Sequence, residues 1–271
     1  MTMLLEVGGR PVAMARTGEG RPVLYLHGLV DVHSAVSPDA PHPFLETLAA
    51  HGGVEVLAPA LPGYAGSGGL DGLHDVEDYV FHVVDLLDAL HLGHVDVVGH
   101  CFGGWLGAEL ALRRPDRVRR LVLVSPLGLH VPGLDIPLVF GALAPRGVGG
   151  FGEARRLFFA DPEGAAAVDV LPDGMAEDQQ LRWFGGLAGA ARLGWKAPHF
   201  QSRRLAARLF RITVPTLVLC GEQDLLVPET VVRAWVDGMA HADMFEVPDA
   251  GHAVVLEWPE VAVEVAAYLA R

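Results

Sequence analysis

The sequence predicts an α/β fold, a mostly parallel sheet covered on both faces by helices and interrupted late by a helical insertion. Three observations carry this. Short, continuous apolar runs rich in Val and Leu alternate with amphipathic segments, the pattern of strands buried on both faces. One such run, Val95 to Val98, passes through Gly99-His100-Cys101-Phe102-Gly103 straight into a helical pattern. From about Gly128 to Arg211 the alternation stops and no strong strand is visible.

Taken in order, residues 4–16 hold two strand candidates around Gly8-Gly9, a hairpin signal. Pro22 to Gly28 is a stronger strand ending in His27-Gly28, followed by a loop from Leu29 to Pro43 rich in Pro, Ser, His and Asp. Phe44 to Ala50 reads as a short helix and Val54 to Pro59 as a strand. Leu61 to Gly69 is a turn-rich loop. Asp75 to Leu90 places Val76, Tyr79, Val80, Val83, Val84, Leu87 and Leu90 at the spacing of an amphipathic helix. After Val95 to Val98 and the helix beyond Gly103, Val118 to Ser125 is the next strand. The insertion then carries Phe140, Phe151, Phe158, Phe159, Trp183, Phe184, Trp195 and Phe200. Most of these aromatics serve the insertion's own core, and a few face a pocket, because small-molecule sites are mostly apolar. The sheet resumes with Val214 to Gly221, whose loop is Glu222 to Pro228. Thr230 to Gly238 is a helix, Asp243 to Pro248 the last strand, and Asp249 to His252 its loop. Trp258 to Leu269 closes the chain as a helix, with Pro259 near its first turn.

Composition narrows the function. A chain of 271 residues suits one large α/β domain or a domain with an insertion. The formal net charge of −13 argues against a nucleic-acid or anionic-membrane surface. No window is long and apolar enough to span a membrane, and no signal peptide is visible at the N-terminus, so a cytoplasmic location is expected. Cys101 and Cys220 make no disulfide framework. Lys196 is the sole lysine and lies away from any motif, against Schiff-base chemistry. There is no zinc signature, no P-loop and no dinucleotide fingerprint, so no cofactor and no metal are implied.

The turn at Gly99–Gly103 is the sequence of a nucleophile elbow, a strand running into a helix through a corner so sharp that its flanks must be small. Its central residue is Cys101. At a helix N-terminus the macrodipole and free N–H groups favour a thiolate, so the expectation is a reactive sulfur. The other reading is a buried core cysteine. Acyl transfer needs a base beside the nucleophile and a group to orient that base. His252, after Ala250-Gly251 at a strand end, is the base candidate, and Asp224 is the orienting carboxylate. Asp249 is a substitute that reads first as a turn former. Cys220, on a buried strand, reads as a core filler.

His27-Gly28, Leu61-Pro62-Gly63 with Gly66-Ser67, Gly99 to Gly103, Gly221-Glu222-Gln223-Asp224 with Val227-Pro228, and Gly251-His252 occur in one order at successive strand ends. In this the chain resembles the α/β-hydrolase superfamily, specifically its cap-bearing branch, over nearly its whole length. The resemblance implies an eight-stranded, mostly parallel sheet with helices on both faces, a core of residues 1–127 and 212–271, and a helical cap over 128–211. It implies a Cys101, His252, Asp224 triad with an oxyanion hole from the backbone N–H groups of Phe102 and Leu29, Val30 being the alternative to Leu29. Candidate substrate contacts are His27, Val30, His100, Trp183 and Phe184, although His27 reads first as a brace for its loop and His100 as part of the elbow turn.

The departure from the common family pattern is cysteine in place of serine. The expected activity is hydrolysis of an ester, lactone or thioester with an apolar acyl portion, through an acyl-enzyme on Cys101. Dienelactone hydrolases resemble this in having a thiol elbow but lack so large a cap. Alternatives are acyl transfer or Dieckmann-type cyclisation, a serine esterase whose serine has been exchanged for cysteine, and a non-catalytic ligand-binding relative. A further alternative is carbon–carbon bond hydrolysis, whose enzymes usually show Gly-Asn-Ser-Met-Gly at the elbow, which this chain lacks.

Overall fold

The computed structural model describes residues 2–31, 42–69, 71–134, 139–143, 151–196 and 199–271. Much of the Pro- and His-rich loop expected over 29–43 and part of the insertion lie outside these ranges.

An eight-stranded sheet organises the chain. Its strands are β1 (Thr2–Val7), β2 (Arg10–Gly18), β3 (Arg21–Leu26), β4 (Val54–Pro59), β5 (Val95–His100), β6 (Val118–Val124), β9 (Thr216–Gly221) and β10 (Ala242–Val247). Two further strands, β7 (Gly128–Leu129) and β8 (Gln201–Ser202), pair only with each other. The order across the main sheet is β1-β2-β4-β3-β5-β6-β9-β10. The β1–β2 and β2–β4 pairings are antiparallel and all the others parallel. Every residue of β5 and of β9 is buried. Successive side chains on a strand point to opposite faces, so both faces of the sheet centre are covered.

Four helices of the core support the sheet and the elbow. They are α1 (Pro43–Gly52), α2 (Val76–Ala89), α3 (Phe102–Arg113) and, at the chain's end, α10 (Ala262–Ala270). Helix α2 begins where the sequence pattern places it because the Asp75 carboxylate accepts the backbone N–H groups of Glu77 and Asp78, while Asp78 reaches back to Asp75 N. Helices α2 and α3 pack on each other, as do α1 and α10. Buried Asp96 of β5 binds Arg21 and Arg119, and both guanidinium groups also donate to the Leu269 carbonyl, which pins α10 to the sheet.

The expected closing helix from Trp258 opens as a 3-10 turn, and a break separates it from a short helix that was not expected. A short helix, α9 (Val254–Glu257), follows the His252 loop, and Pro259–Val261 forms a 3-10 turn before α10. Pro259 lacks the N–H a continuing helix needs, so the break falls there. Helix α8 (Glu229–Gly238) precedes β10.

Between β6 and β9 the chain leaves the sheet. It forms α4 (Val139–Leu143), α5 (Gly152–Phe158), α6 (Ala165–Val170) and α7 (Glu177–Gly194). The β7–β8 pair was not expected from the sequence. Two-residue strands carry no periodicity, and this pair clamps the two ends of the excursion together instead of extending the sheet.

Candidate functional site

The elbow is built by backbone contacts that exclude side chains. A Cβ on Gly103 would lie 2.0 Å from the Leu26 carbonyl oxygen, so α3 comes this close to β3 only with glycine there. Cys101 takes φ 54° and ψ −114°, a strained conformation for any residue but glycine. The surroundings over-determine it. Its N–H donates to Val124 O at 2.9 Å, and its carbonyl accepts from Gly104 N and Leu127 N at 3.1 Å each.

The thiol does not have the state expected from a helix N-terminus. Cys101 has no exposed surface. Burial pushes its pKa well above the ordinary thiol value. The backbone N–H groups of Leu29 and Phe102 donate to the sulfur and pull the other way, while Asp31 and Asp224 push it up further. Desolvation outweighs the helix terminus, and the thiol is neutral. The two donors aimed at the sulfur are the pair named from the sequence as an oxyanion hole. Val30 is buried beside them.

His252 and Asp224 arrive from loops after β10 and β9. A Cβ on Gly221 would meet the Gly251 and Ala250 carbonyl oxygens at 2.2 and 2.3 Å, so the two loops touch through that glycine. Asp224 Oδ1 accepts the backbone N–H groups of Leu226 and Val227, both at 2.8 Å. His252 Nδ1 lies 2.9 Å from Asp224 Oδ2 and 3.1 Å from Oδ1. A carboxylate only accepts, so Nδ1 carries a hydrogen, and in the neutral ring Nε2 keeps the lone pair. Nε2 is buried and has no hydrogen-bond partner among the described residues. Asp249, the alternative carboxylate, has φ 54° and accepts from the Gln223 side chain at 3.3 Å, as a turn former does.

The excursion closes over this histidine. The Phe158 ring stacks edge-on to His252 at 5.4 Å, and Ala253 N donates to Phe158 O at 2.8 Å. Glu257 staples the same junction, accepting Ala160 N at 2.7 Å through Oε1 and Gly251 N at 2.8 Å through Oε2. Neither Phe158 nor Glu257 stood out as a site residue in the sequence.

Two more groups surround the elbow. His27 accepts Leu61 N at 3.0 Å on Nε2 and donates from Nδ1 to Gly28 O at 2.7 Å, so it braces two loops. Its ring packs at 4.9 Å against Tyr64, whose hydroxyl is buried without a partner among the described residues. Burial raises the Tyr64 pKa, with Tyr79, Cys101 and Asp31 adding to it. Asp31 is fully buried and accepts from Tyr25 Oη at 2.5 Å and Gly28 N at 2.7 Å, and it contacts His100 Nδ1 at 3.0 Å. Nothing in the sequence around Asp31 separates it from a solvated loop aspartate.

The remaining candidates fall elsewhere. Trp183 donates from Nε1 to Leu143 O at 3.1 Å and packs on Phe151 at 5.1 Å, within the excursion's own core. Phe184, next to it on α7, is half exposed. Cys220 is buried in β9, and burial pushes its thiol up to about 12. Among the described residues no cluster of three or more His, Cys, Asp or Glu is arranged to hold a metal ion. No helix among them is long and apolar enough to cross a membrane.

Fold and site together define a class. The sequence from 21 to 259 matches the model of the alpha/beta hydrolase fold family, and the chain belongs to that family. Among individual relatives it is 29% identical over 175 residues to a candidate carbamate hydrolase, RutD, of Rhizobium rhizogenes, covering 63% of this chain and 64% of the relative. It is 29% identical over 194 residues to a 2-hydroxymuconate semialdehyde hydrolase of a Pseudomonas species, covering 62% and 59%. The match thus spans less than two thirds of these relatives' length. Among solved structures, the 2-hydroxy-6-oxo-6-phenylhexa-2,4-dienoate hydrolase of a Rhodococcus species superposes with a TM-score of 0.76 at 20% identity over the whole of both chains. The enol-lactonase of Burkholderia xenovorans does so with 0.70 at 20% identity, over 99% of this chain and 100% of that one. At such identities the likeness is one of fold.

Proposed function

We propose that the protein is a hydrolase that cleaves an ester, lactone or thioester through an acyl-enzyme on Cys101. His252 serves as base and Asp224 orients it, under a cap formed by the excursion of residues 128–211. The observation that carries this reading is the relation of three buried groups. The sulfur occupies the two N–H donors of Leu29 and Phe102, and the His252 lone pair is left over. In this reading the thiol swings away from those donors to Nε2 as it reacts. The vacated donors then receive the substrate's carbonyl oxygen, where negative charge develops.

The steps are those of ordinary acyl chemistry. His252 Nε2 takes the thiol proton as sulfur attacks the carbonyl carbon. The C–O or C–S bond to the leaving group breaks, and the imidazolium returns the proton to that group. Water, deprotonated by the same nitrogen, then attacks the thioester carbonyl; the C–S bond breaks, the acid leaves, and the imidazolium returns the proton to the Cys101 sulfur. A neutral buried thiol needs this base, so the triad has a task that a preformed thiolate would not give it. The Tyr64 hydroxyl is a further buried donor for a polar group on the substrate.

A second reading is carbon–carbon bond hydrolysis, favoured by the 2-hydroxymuconate semialdehyde hydrolase among the relatives. The discriminating experiment is steady-state turnover on a panel of p-nitrophenyl esters, enol lactones, alkyl thioesters, simple carbamates and vinylogous diketones. The proposal expects ester, lactone or thioester turnover at least tenfold above the others. Turnover confined to diketones supports the second reading, and turnover confined to carbamates contradicts both.

A further inference from the structure

Behind the elbow lies a buried chain of polar contacts that the proposed reaction does not use. His100, the last residue of β5, has no exposed surface. Its Nδ1 lies 3.0 Å from Asp31 Oδ1 and its Nε2 lies 3.0 Å from the backbone carbonyl oxygen of His252. A carbonyl oxygen only accepts, so Nε2 must carry a hydrogen. Asp31 already accepts from the Tyr25 hydroxyl and from Gly28 N–H. Those two donors stabilise the charged carboxylate, so the proton shared along the Asp31–His100 contact resides on the imidazole. Both ring nitrogens therefore donate.

We propose that His100 is an imidazolium at neutral pH and that this charge, balanced by Asp31, locks the oxyanion loop, the elbow and the histidine loop into one register. His100 is thereby a positioning residue that acts through the His252 main chain. That role rests on the reading of Cys101 and His252 as the reacting pair. The protonation state does not.

Geometry supports the convergence. A Cβ on Gly28 would lie 2.7 Å from Cys101 Cβ, 2.9 Å from Asp31 Oδ1 and 2.9 Å from His100 Nδ1, so the oxyanion loop and the elbow meet at that glycine, and the histidine loop joins them through His100 Nε2. The His100 and His252 rings are 5.7 Å apart. Among the described residues, the charged and titratable groups around His100 are Asp31, Tyr25, His27, His42, His252, Cys101 and Asp224. His42 is kept neutral by burial, its pKa lowered to about 4, and its Nε2 is 4.0 Å from Asp31 Oδ2. Burial alone would strip the proton from His100. The Asp31 carboxylate, the His252 carbonyl and more distant Asp224 outweigh it and hold its pKa above the ordinary value. The Asp31 carboxylate is itself desolvated, yet His100, with His27 and His42, holds it well below the usual range.

The test uses the full chain with 15N-labelled histidine, read by long-range 1H–15N spectra at pH 7.5, where an ordinary imidazole is about nine tenths neutral. H100Q identifies the His100 signals by their loss. Should H100Q not fold, selective 13C labelling by position and D31N serve instead. Both His100 nitrogens are expected to be protonated in the parent, and D31N is expected to leave one of them bare. A His100 with one unprotonated nitrogen in the parent overturns the proposal, as does a D31N variant whose His100 stays doubly protonated.

Positioning is read at His252. Its ring signals should move in D31N, and acylation of Cys101 by p-nitrophenyl acetate should slow on the order of 100-fold with KM little changed. Unmoved His252 signals overturn the positioning role. A parent that shows the imidazolium and the His252 shift but never acylates contradicts the acyl-enzyme reading and leaves the imidazolium standing.

Discussion

Asp224→Asn isolates the carboxylate's role without disturbing its surroundings. Oδ1 receives two backbone N–H groups, from Leu226 and Val227, both at 2.8 Å. An amide nitrogen there would set donor against donor. The asparagine oxygen must take that place, and the NH2 group then occupies the Oδ2 position, 2.9 Å from His252 Nδ1. Nδ1 is forced to accept, and the ring hydrogen moves to Nε2. The base thus presents an N–H to the sulfur where a lone pair is needed. In serine triads this exchange costs on the order of 10⁴ in turnover. That is about 5.5 kcal/mol at roughly 1.36 kcal/mol per power of ten. A thiol ordinarily depends less on its base, but this thiol is neutral and buried, so a loss on the order of 10³ to 10⁴ is expected. The fold keeps both backbone bonds and should lose no more than about 1–2 kcal/mol. Single-turnover release of p-nitrophenolate measures the chemical step, and urea unfolding measures stability. A rate within tenfold of the parent, or a worse loss in Asp249→Asn, would mean that Asp224 does not set the His252 tautomer.

Three further outcomes come from the same geometry. Gly103→Ala brings a Cβ to 2.0 Å from the Leu26 carbonyl and should destabilise by more than about 4 kcal/mol; an unchanged melting temperature contradicts this. Phe158→Ala removes the ring that covers His252, costs about 3–5 kcal/mol, and should speed alkylation of Cys101 by iodoacetamide; an unaltered alkylation rate means the cover lies elsewhere. Burial lowers the pKa of His42 and of His82 to about 4. The unfolded chain, with values near 6.5, binds more protons between those limits, so stability should fall as pH drops from about 6.5 toward 4, by a ceiling of roughly 3 kcal/mol per group. His100, with its raised value, contributes fully below about 6.5 and loses its contribution only as pH rises above it. Urea midpoints at pH 7 and 4.5 test the acid slope, and His82→Gln should flatten it; equal midpoints in the parent contradict it.

The sheet was legible because its strands are buried on both faces and read as unbroken apolar runs. The elbow was legible because close packing demands glycine at fixed positions, as at Gly103 against Leu26. The histidine and aspartate loops were legible for a similar reason, since Gly221 and Gly251 mark where two backbones touch. Asp31 was not. Its burial comes from β3, the end of β5 and His42 meeting in space, and no local pattern records that. The state of the Cys101 thiol was misread because the helix terminus is a local feature, while the desolvation that overrides it is a property of the whole packed site.

The proposed acyl-enzyme requires the sulfur at position 101 to become acylated with the help of His252. Intact-mass spectrometry with peptide mapping after brief mixing with activated acyl esters tests it most directly. One acyl adduct per chain, on Cys101, lost in Cys101→Ala and forming at least a thousandfold more slowly in His252→Ala, is the expected result. No adduct on Cys101 in the parent, or equal labelling in His252→Ala, would contradict it.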